Sequence, residues 1–274
     1  MISPEPHQPD EPPEPTAHPE YATEPEQAAQ PELAASPPQR WGFGAFLLVE
    51  ATLLASAAFV SVLLGPVPPG GSIPVFDVLI GTMAPAVIAA GLALVITRVR
   101  GNGPFVDLRL SWRADDLRTG LRYGLLGLVF ATVGAFVWTR LVGPENANSA
   151  ISALVEDEPM SLSAAVAMFA YLWLLGPICE EIIYRGVLWR AVERLHWGKE
   201  KWGRLAAFLI STAVFAASHL EPLRTTLLIV IAIPIGLARL VTGRLLASIV
   251  AHQVNNFLPA VAILLTGLGV VGSQ

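Results

Sequence analysis

Apolar positions in this chain come in long unbroken runs, with neither the strict alternation of a half-buried strand nor the narrow stripe of a surface helix. The runs fall at about 42–64, 75–97, 120–142, 162–188, 204–220, 225–241 and 245–268. Several exceed the ~18 consecutive apolar residues that mark a helix able to cross hydrocarbon. The pattern predicts an all-α, polytopic membrane bundle of seven helices. An amphipathic stretch over 187–198 either extends the fourth helix or lies on the surface, and in the latter case the count rises to eight. No internal repeat is visible.

Composition sharpens this reading. Of the 274 residues 53% are hydrophobic and 14% charged, against roughly 25% charged in soluble domains. The net charge of -5 belongs to the first 40 residues, which hold eight acids and one arginine; the rest has 16 basic and 14 acidic residues. Nothing here points to nucleic acid. A single cysteine excludes an intrachain disulfide and any multi-cysteine metal site. Residues 1–40 carry 11 of the 23 prolines among Glu, Gln and Ala, too little apolar surface to offset the entropy of ordering, so a disordered tail is expected. They lack the basic start and apolar core of a signal peptide. The chain thus divides into a tail (1–40), N-terminal membrane helices (41–160) and a C-terminal helical core (161–268).

Basic residues suggest an orientation. Arg98, Arg100, Arg109, Arg113 and Arg118 follow the second run, and Arg190, Arg194, Lys199, Lys201 and Arg204 follow the fourth. Residues 65–74 have no Lys or Arg, and 143–160 carries Glu145, Glu156, Asp157 and Glu158 without one. The positive-inside rule then places both arginine-rich segments and the tail in the cytoplasm of a plasma-membrane protein, with the C-terminus outside. Trp189, Trp197 and Trp202 fit an interfacial belt on that side.

Against this apolar background the polar residues of the C-terminal half stand out. Ionisable groups at membrane depth are costly and by default suggest a functional site. Glu180 and Glu181 follow Gly176-Pro177, where proline predicts either a kink or a fresh helix start. Glu181 and Arg185 are four apart and can pair on one helix face; Glu180, rotated about 100° away, lacks that partner and stays available for chemistry. Phe215 and His219 share the same spacing, as do His252 and Asn256, with Asn255 as an alternative to the latter. At 1.5 Å per residue, Glu181 and His252 lie roughly 14 and 12 Å from their nearest basic flank, but His219 lies about 22 Å from Arg204. The fifth helix therefore begins inside the cytoplasm, tilts, or breaks near the histidine. Glu50 lines a wet cavity or snorkels, Gly120 and Gly124 form a small-residue pair suited to close helix packing, and Cys179 has no adjoining base. HExxH, Walker and GxSxG motifs are absent from the sequence.

The sets Glu180-Glu181-x-x-x-Arg185, Phe215-x-x-x-His219 and His252-x-x-x-Asn256 resemble the three motifs of the CAAX-protease and bacteriocin-processing family of intramembrane endopeptidases. The resemblance covers about residues 160–262. It implies a helical membrane fold around a catalytic water, with Glu180 and His219 activating the water, His252 and Asn256 stabilising the oxyanion, and Glu181, Arg185 and Phe215 in support. Amide hydrolysis asks for such a base and such donors. Glu180, His219 and His252 are also suitable ligand types for zinc; the metal-free glutamate mechanism, with no cofactor, is favoured. The expected partners are a membrane-associated peptide or protein substrate and the lipid bilayer. Two other classes remain: a scaffold or bacteriocin-immunity protein on the same fold, and a proton-coupled transporter, for which paired repeats would be expected in both halves.

Overall fold

A computed structural model describes residues 40–66, 73–143 and 160–270, and every regular element among them is helical. The expected disordered tail lies outside the described residues, apart from Arg40, as do the acidic residues of 143–160. The helices are α1 (Phe43–Leu64), α2 (Val75–Arg100), the short α3 (Pro104–Asp107), α4 (Ala114–Val142), α5 (Leu162–Glu193), α6 (Glu200–Ser218), α7 (Thr225–Thr242) and α8 (Leu245–Gly267). Six of them, all but α3 and α6, are long and apolar enough to cross a membrane, one fewer than the runs predict. The difference is α6, whose first five residues include Glu200, Lys201 and Arg204 and so dilute its apolar content. The amphipathic stretch after 187 continues α5 to Glu193 as one 32-residue helix and forms no separate crossing.

Helix α5 is central, packed against α1 and α2 on one side and α6 and α8 on the other. Ile182, Ile183, Tyr184, Val187, Leu188 and Trp189 are all buried, as expected of a helix that is apolar all round and enclosed by neighbours. Peripheral helices show the opposite pattern. On α1, Leu47, Leu48, Phe59, Val62 and Leu63 face outward, and on α4 so do Leu121, Leu125, Val129, Val133 and Phe136. An apolar surface of that extent requires hydrocarbon around it; the protein is a multi-pass membrane protein.

Two local devices set α8, which carries the third motif. Gly243 ends α7 in the left-handed conformation (φ 68°) that glycine adopts without penalty. Gly243 and Arg244 alone then link α7 to α8. On its far side α8 lies against a row of glycines on α4. A Cβ added at Gly120 would stand 2.6 Å from Val250 Cβ, and one at Gly124 2.5 Å from Val254 Cβ. The predicted small-residue pair therefore sets how closely α4 and α8 approach.

Both arginine-rich segments meet at one end of the bundle. There the buried Asp107 carboxylate accepts from Trp41 Nε1 at 2.7 Å and from the Asn102 amide at 3.2 Å. Arg190 donates to the Asp107 carbonyl, Arg194 to the Trp41 carbonyl, Arg204 to the Leu240 carbonyl, and Arg244 grips Asp116 through Nε and Nη2. These bonds tie α1, α3, α4, α5, α6, α7 and α8 together at a single level.

Candidate active site

Around Gly176-Pro177 the central helix is wound wider than an α-helix. Two π-helical segments, Tyr171–Leu175 and Ile182–Leu188, flank the α-helical turns Gly176–Glu181. Proline has no N–H to donate and its ring collides with the carbonyl four residues back in a regular helix; the wide turn ahead of Pro177 takes up that misfit. Of the two outcomes the proline allowed, the fresh helix start is not the one adopted. Glu180 and Glu181 sit in mid-helix, without the favourable dipole of a first turn. Single π turns of this kind recur at functional sites.

The two adjacent glutamates have different surroundings. Glu181 and Arg185 are fully buried side chains, and Arg185 Nη1 donates to Glu181 Oε1 at 3.0 Å. The guanidinium lies over the Phe215 ring, 4.3 Å from its centroid. The same Oε1 atom also receives His252 Nδ1 at 3.0 Å. Glu180 instead remains 29% exposed and lines a cavity of about 350 Å³ together with Tyr184, Ser218, His219 and Asn256. Its Oε2 is 3.6 Å from His252 Nε2, so the imidazole stands between the carboxylates with one nitrogen toward each.

His219 immediately follows the last residue of α6, so the helix ends at the histidine. Leu220 follows with φ 53°, a left-handed backbone that is uncommon for a non-glycine and often found at functional positions. His219 Nδ1 lies 2.8 Å from the Phe215 carbonyl, and the two rings meet edge-on at 4.8 Å. A carbonyl oxygen only accepts, so Nδ1 carries the hydrogen and Nε2 of the neutral ring keeps its lone pair. By the same logic the ionised Glu181 carboxylate fixes the proton of His252 on Nδ1.

Asn255 and Asn256 separate cleanly. Asn255 is buried, close to Gly127 of α4, and donates from Nδ2 to Asn256 Oδ1 at 3.3 Å. Asn256 lines the cavity and donates from its own Nδ2 to the Leu172 carbonyl at 3.3 Å. The cavity thus gathers Glu180, His219 and Asn256, with His252 behind Glu180, while Glu181, Arg185 and Phe215 form the buried support beneath. Spacing alone could have shown one residue that motif reading overlooks. Tyr184 is four residues after Glu180, hence on the same face, and its hydroxyl approaches the Glu50 carboxylate at 3.3 and 3.5 Å. Glu50 thus meets Tyr184, a residue of the cavity wall.

Zinc was the other reading of these side chains. Among the described residues no three His, Cys, Asp or Glu side chains are placed to hold one metal ion. His252 meets a carboxylate on both sides, and Glu180, His219 and His252 do not form a three-ligand group.

Compared with family models, residues 162–258 match the one described as type II CAAX prenyl endopeptidase, Rce1-like. No match is found among curated proteins or solved structures. The matched span begins with α5 and closes two residues beyond Asn256, enclosing all seven motif residues. The family suggested by those motifs is the one whose model is matched: residues 162–258 of this multi-pass membrane protein are similar to the Rce1-like type II CAAX prenyl endopeptidases.

Proposed function

We propose that the protein is an intramembrane endopeptidase that hydrolyses a peptide bond of a membrane-associated peptide or protein, using a water activated by Glu180 and His219 without a metal. One observation carries this reading: of two neighbouring carboxylates, one is locked by Arg185 and His252 and the other faces the cavity beside a histidine and an asparagine. A structural ion-pair network would account for the first carboxylate and leave the second without a purpose.

The chemistry follows from the donors and acceptors available. A water between Glu180 and His219 Nε2 gives its proton to the Glu180 carboxylate as its oxygen attacks the scissile carbonyl carbon. The negative charge that develops on the carbonyl oxygen is met by the Asn256 amide and by His252 Nε2. His252 can donate from Nε2 only as the imidazolium, and in that form the charges of Glu180, Glu181, Arg185 and His252 sum to zero. Collapse of the tetrahedral intermediate breaks the C–N bond, and the proton held by Glu180 passes to the departing amine. Asn255 fixes the Asn256 amide from behind and is a positioning residue.

The test is a comparison of membrane peptides from cells producing the wild-type chain or Glu180→Gln. Peptides cleaved with the first and intact with the second are expected. Identical peptide profiles, with both proteins present at equal level, would overturn the proposal in favour of a non-proteolytic role.

A further inference from the structure

At the arginine-rich end, away from the Glu180 cavity, a second cavity of about 160 Å³ is lined by Arg109, Arg190, Glu193, Arg194, Glu200 and Arg204. Four guanidinium groups face two carboxylates there, and one of those carboxylates is already engaged: Glu193 accepts from Trp189 Nε1 and from Arg190 Nη1, each at 2.7 Å. Just behind, the buried Arg239 donates to the Gly243 and Leu108 carbonyls. Arg194 stacks on Trp41 at 4.0 Å and gives Nη1 to the Trp41 carbonyl, while its Nη2 is buried with no hydrogen-bond partner among the described residues. Burial, followed by the neighbouring Arg190, pushes this guanidinium down to about 10, against the opposing pull of Asp107 and Glu193. Arg109 reaches the cavity from a backbone held at φ 54°, with its carbonyl fixed by the Leu245 amide. A left-handed arginine is a local cost that surrounding structure must maintain.

From this we infer that the cavity binds the phosphate of an anionic phospholipid headgroup. Guanidinium forks match phosphate oxygens in geometry as well as charge, and the cavity holds an unmatched excess of them. The level in the membrane favours a lipid over a soluble phosphate. The cavity sits where α5 ends and α6 begins, and Trp112 and Trp202 are exposed at the same end (74% and 52%), as tryptophans at the headgroup layer are. Basic pockets between membrane helices at that layer are natural sites for lipid phosphates. The proposal is independent of the proteolytic reading.

Thermal stability of the detergent-purified full chain, titrated with short-chain phosphatidylglycerol, phosphatidylcholine of equal chain length, or inorganic phosphate, tests it. Phosphatidylglycerol is expected to raise the melting temperature saturably where phosphatidylcholine does not. Its apparent affinity is expected to fall about tenfold in Arg109→Gln and in Arg204→Gln, the loss of one charge-assisted hydrogen bond. Arg113→Gln, an exposed arginine of the same end outside the cavity, should leave it unchanged. Equal response to both lipids, an equal loss in Arg113→Gln, or protection by inorganic phosphate matching that of phosphatidylglycerol would each overturn the assignment. Should one cavity variant fail to fold, the other and the three-ligand comparison on the wild-type chain still decide.

Discussion

Glu180 and Glu181 differ by about 100° of helix rotation, and everything that distinguishes their roles follows from that turn. Glu181 points into the protein, where Arg185, one helical turn on, and His252 from α8 share its Oε1. Removing its charge leaves Arg185 buried and uncompensated, so Glu181→Gln should lose about 3–5 kcal/mol of stability, seen as a lower melting temperature and poor recovery from the membrane. Glu180 has no such dependant: Glu180→Gln should keep the wild-type melting temperature and abolish cleavage. Equal losses of stability in the two variants would remove the distinction. His252 offers a second test at this scale. As an oxyanion donor, its replacement by alanine should reduce kcat about 10²–10³-fold without changing metal content. Zinc lost from His252→Ala and from His219→Ala, with activity restored by added zinc, would instead show a ligand. Spacing made the Glu181–Arg185 pair legible from sequence. The bond from His252 to Glu181 was not, because it joins residues 71 apart and no periodicity reaches across helices.

Each catalytic candidate is held in place by how its helix is wound or ended. The wide turns of α5 carry Glu180 past a proline, the end of α6 presents His219, and α8 brings His252, Asn255 and Asn256 in against the glycines of α4. Gly120→Ala puts a methyl group 2.6 Å from Val250 Cβ and 2.8 Å from the Ala247 carbonyl. α8 must then move away, at a cost of about 1–3 kcal/mol for overpacking, and cleavage should fall with the displacement of His252 and Asn256. Gly91→Ala, where an added Cβ meets nothing within 4 Å, should be neutral or slightly stabilising, since alanine is the better helix former. Equal melting temperatures for the two alanine variants would show that the glycines do not set the packing. The pair Gly120 and Gly124 was legible as a packing signal, though not which helix it meets. The runs themselves were legible because a central or lipid-facing helix is apolar on every side. The π turns were not: the same residues would fit an α-helix, and only the demands of Pro177 and neighbouring helices widen it. The stop at His219 had one sign in the sequence, Pro222 shortly beyond, since Leu220 takes a left-handed backbone without being glycine.

Among the described residues basic side chains concentrate at one end, with Arg140 and Arg224 at the other. α1, α4, α6 and α8 begin at the arginine-rich end and α2, α5 and α7 finish there, so the helices alternate in direction as a multi-pass bundle must. α6 is the one whose crossing its composition leaves short of the measure the other six meet, yet its direction fits the alternation. If arginines mark the cytoplasmic face, then Arg113 lies inside and Val270, just past α8, lies outside; the unequal ends follow from an odd number of passes, α6 included. Single cysteines at these two positions test this directly, because the native Cys179 is buried and should stay silent. With a membrane-impermeant maleimide applied to intact cells, Val270→Cys should label at once and Arg113→Cys only after permeabilisation. The reverse order would invert the protein and move the lipid-phosphate cavity to the outer leaflet. Labelling of both from one side would mean that α6 does not cross, leaving His219 at the tip of a re-entrant element, with the Glu180 cavity formed by six crossings and one helix that enters and returns.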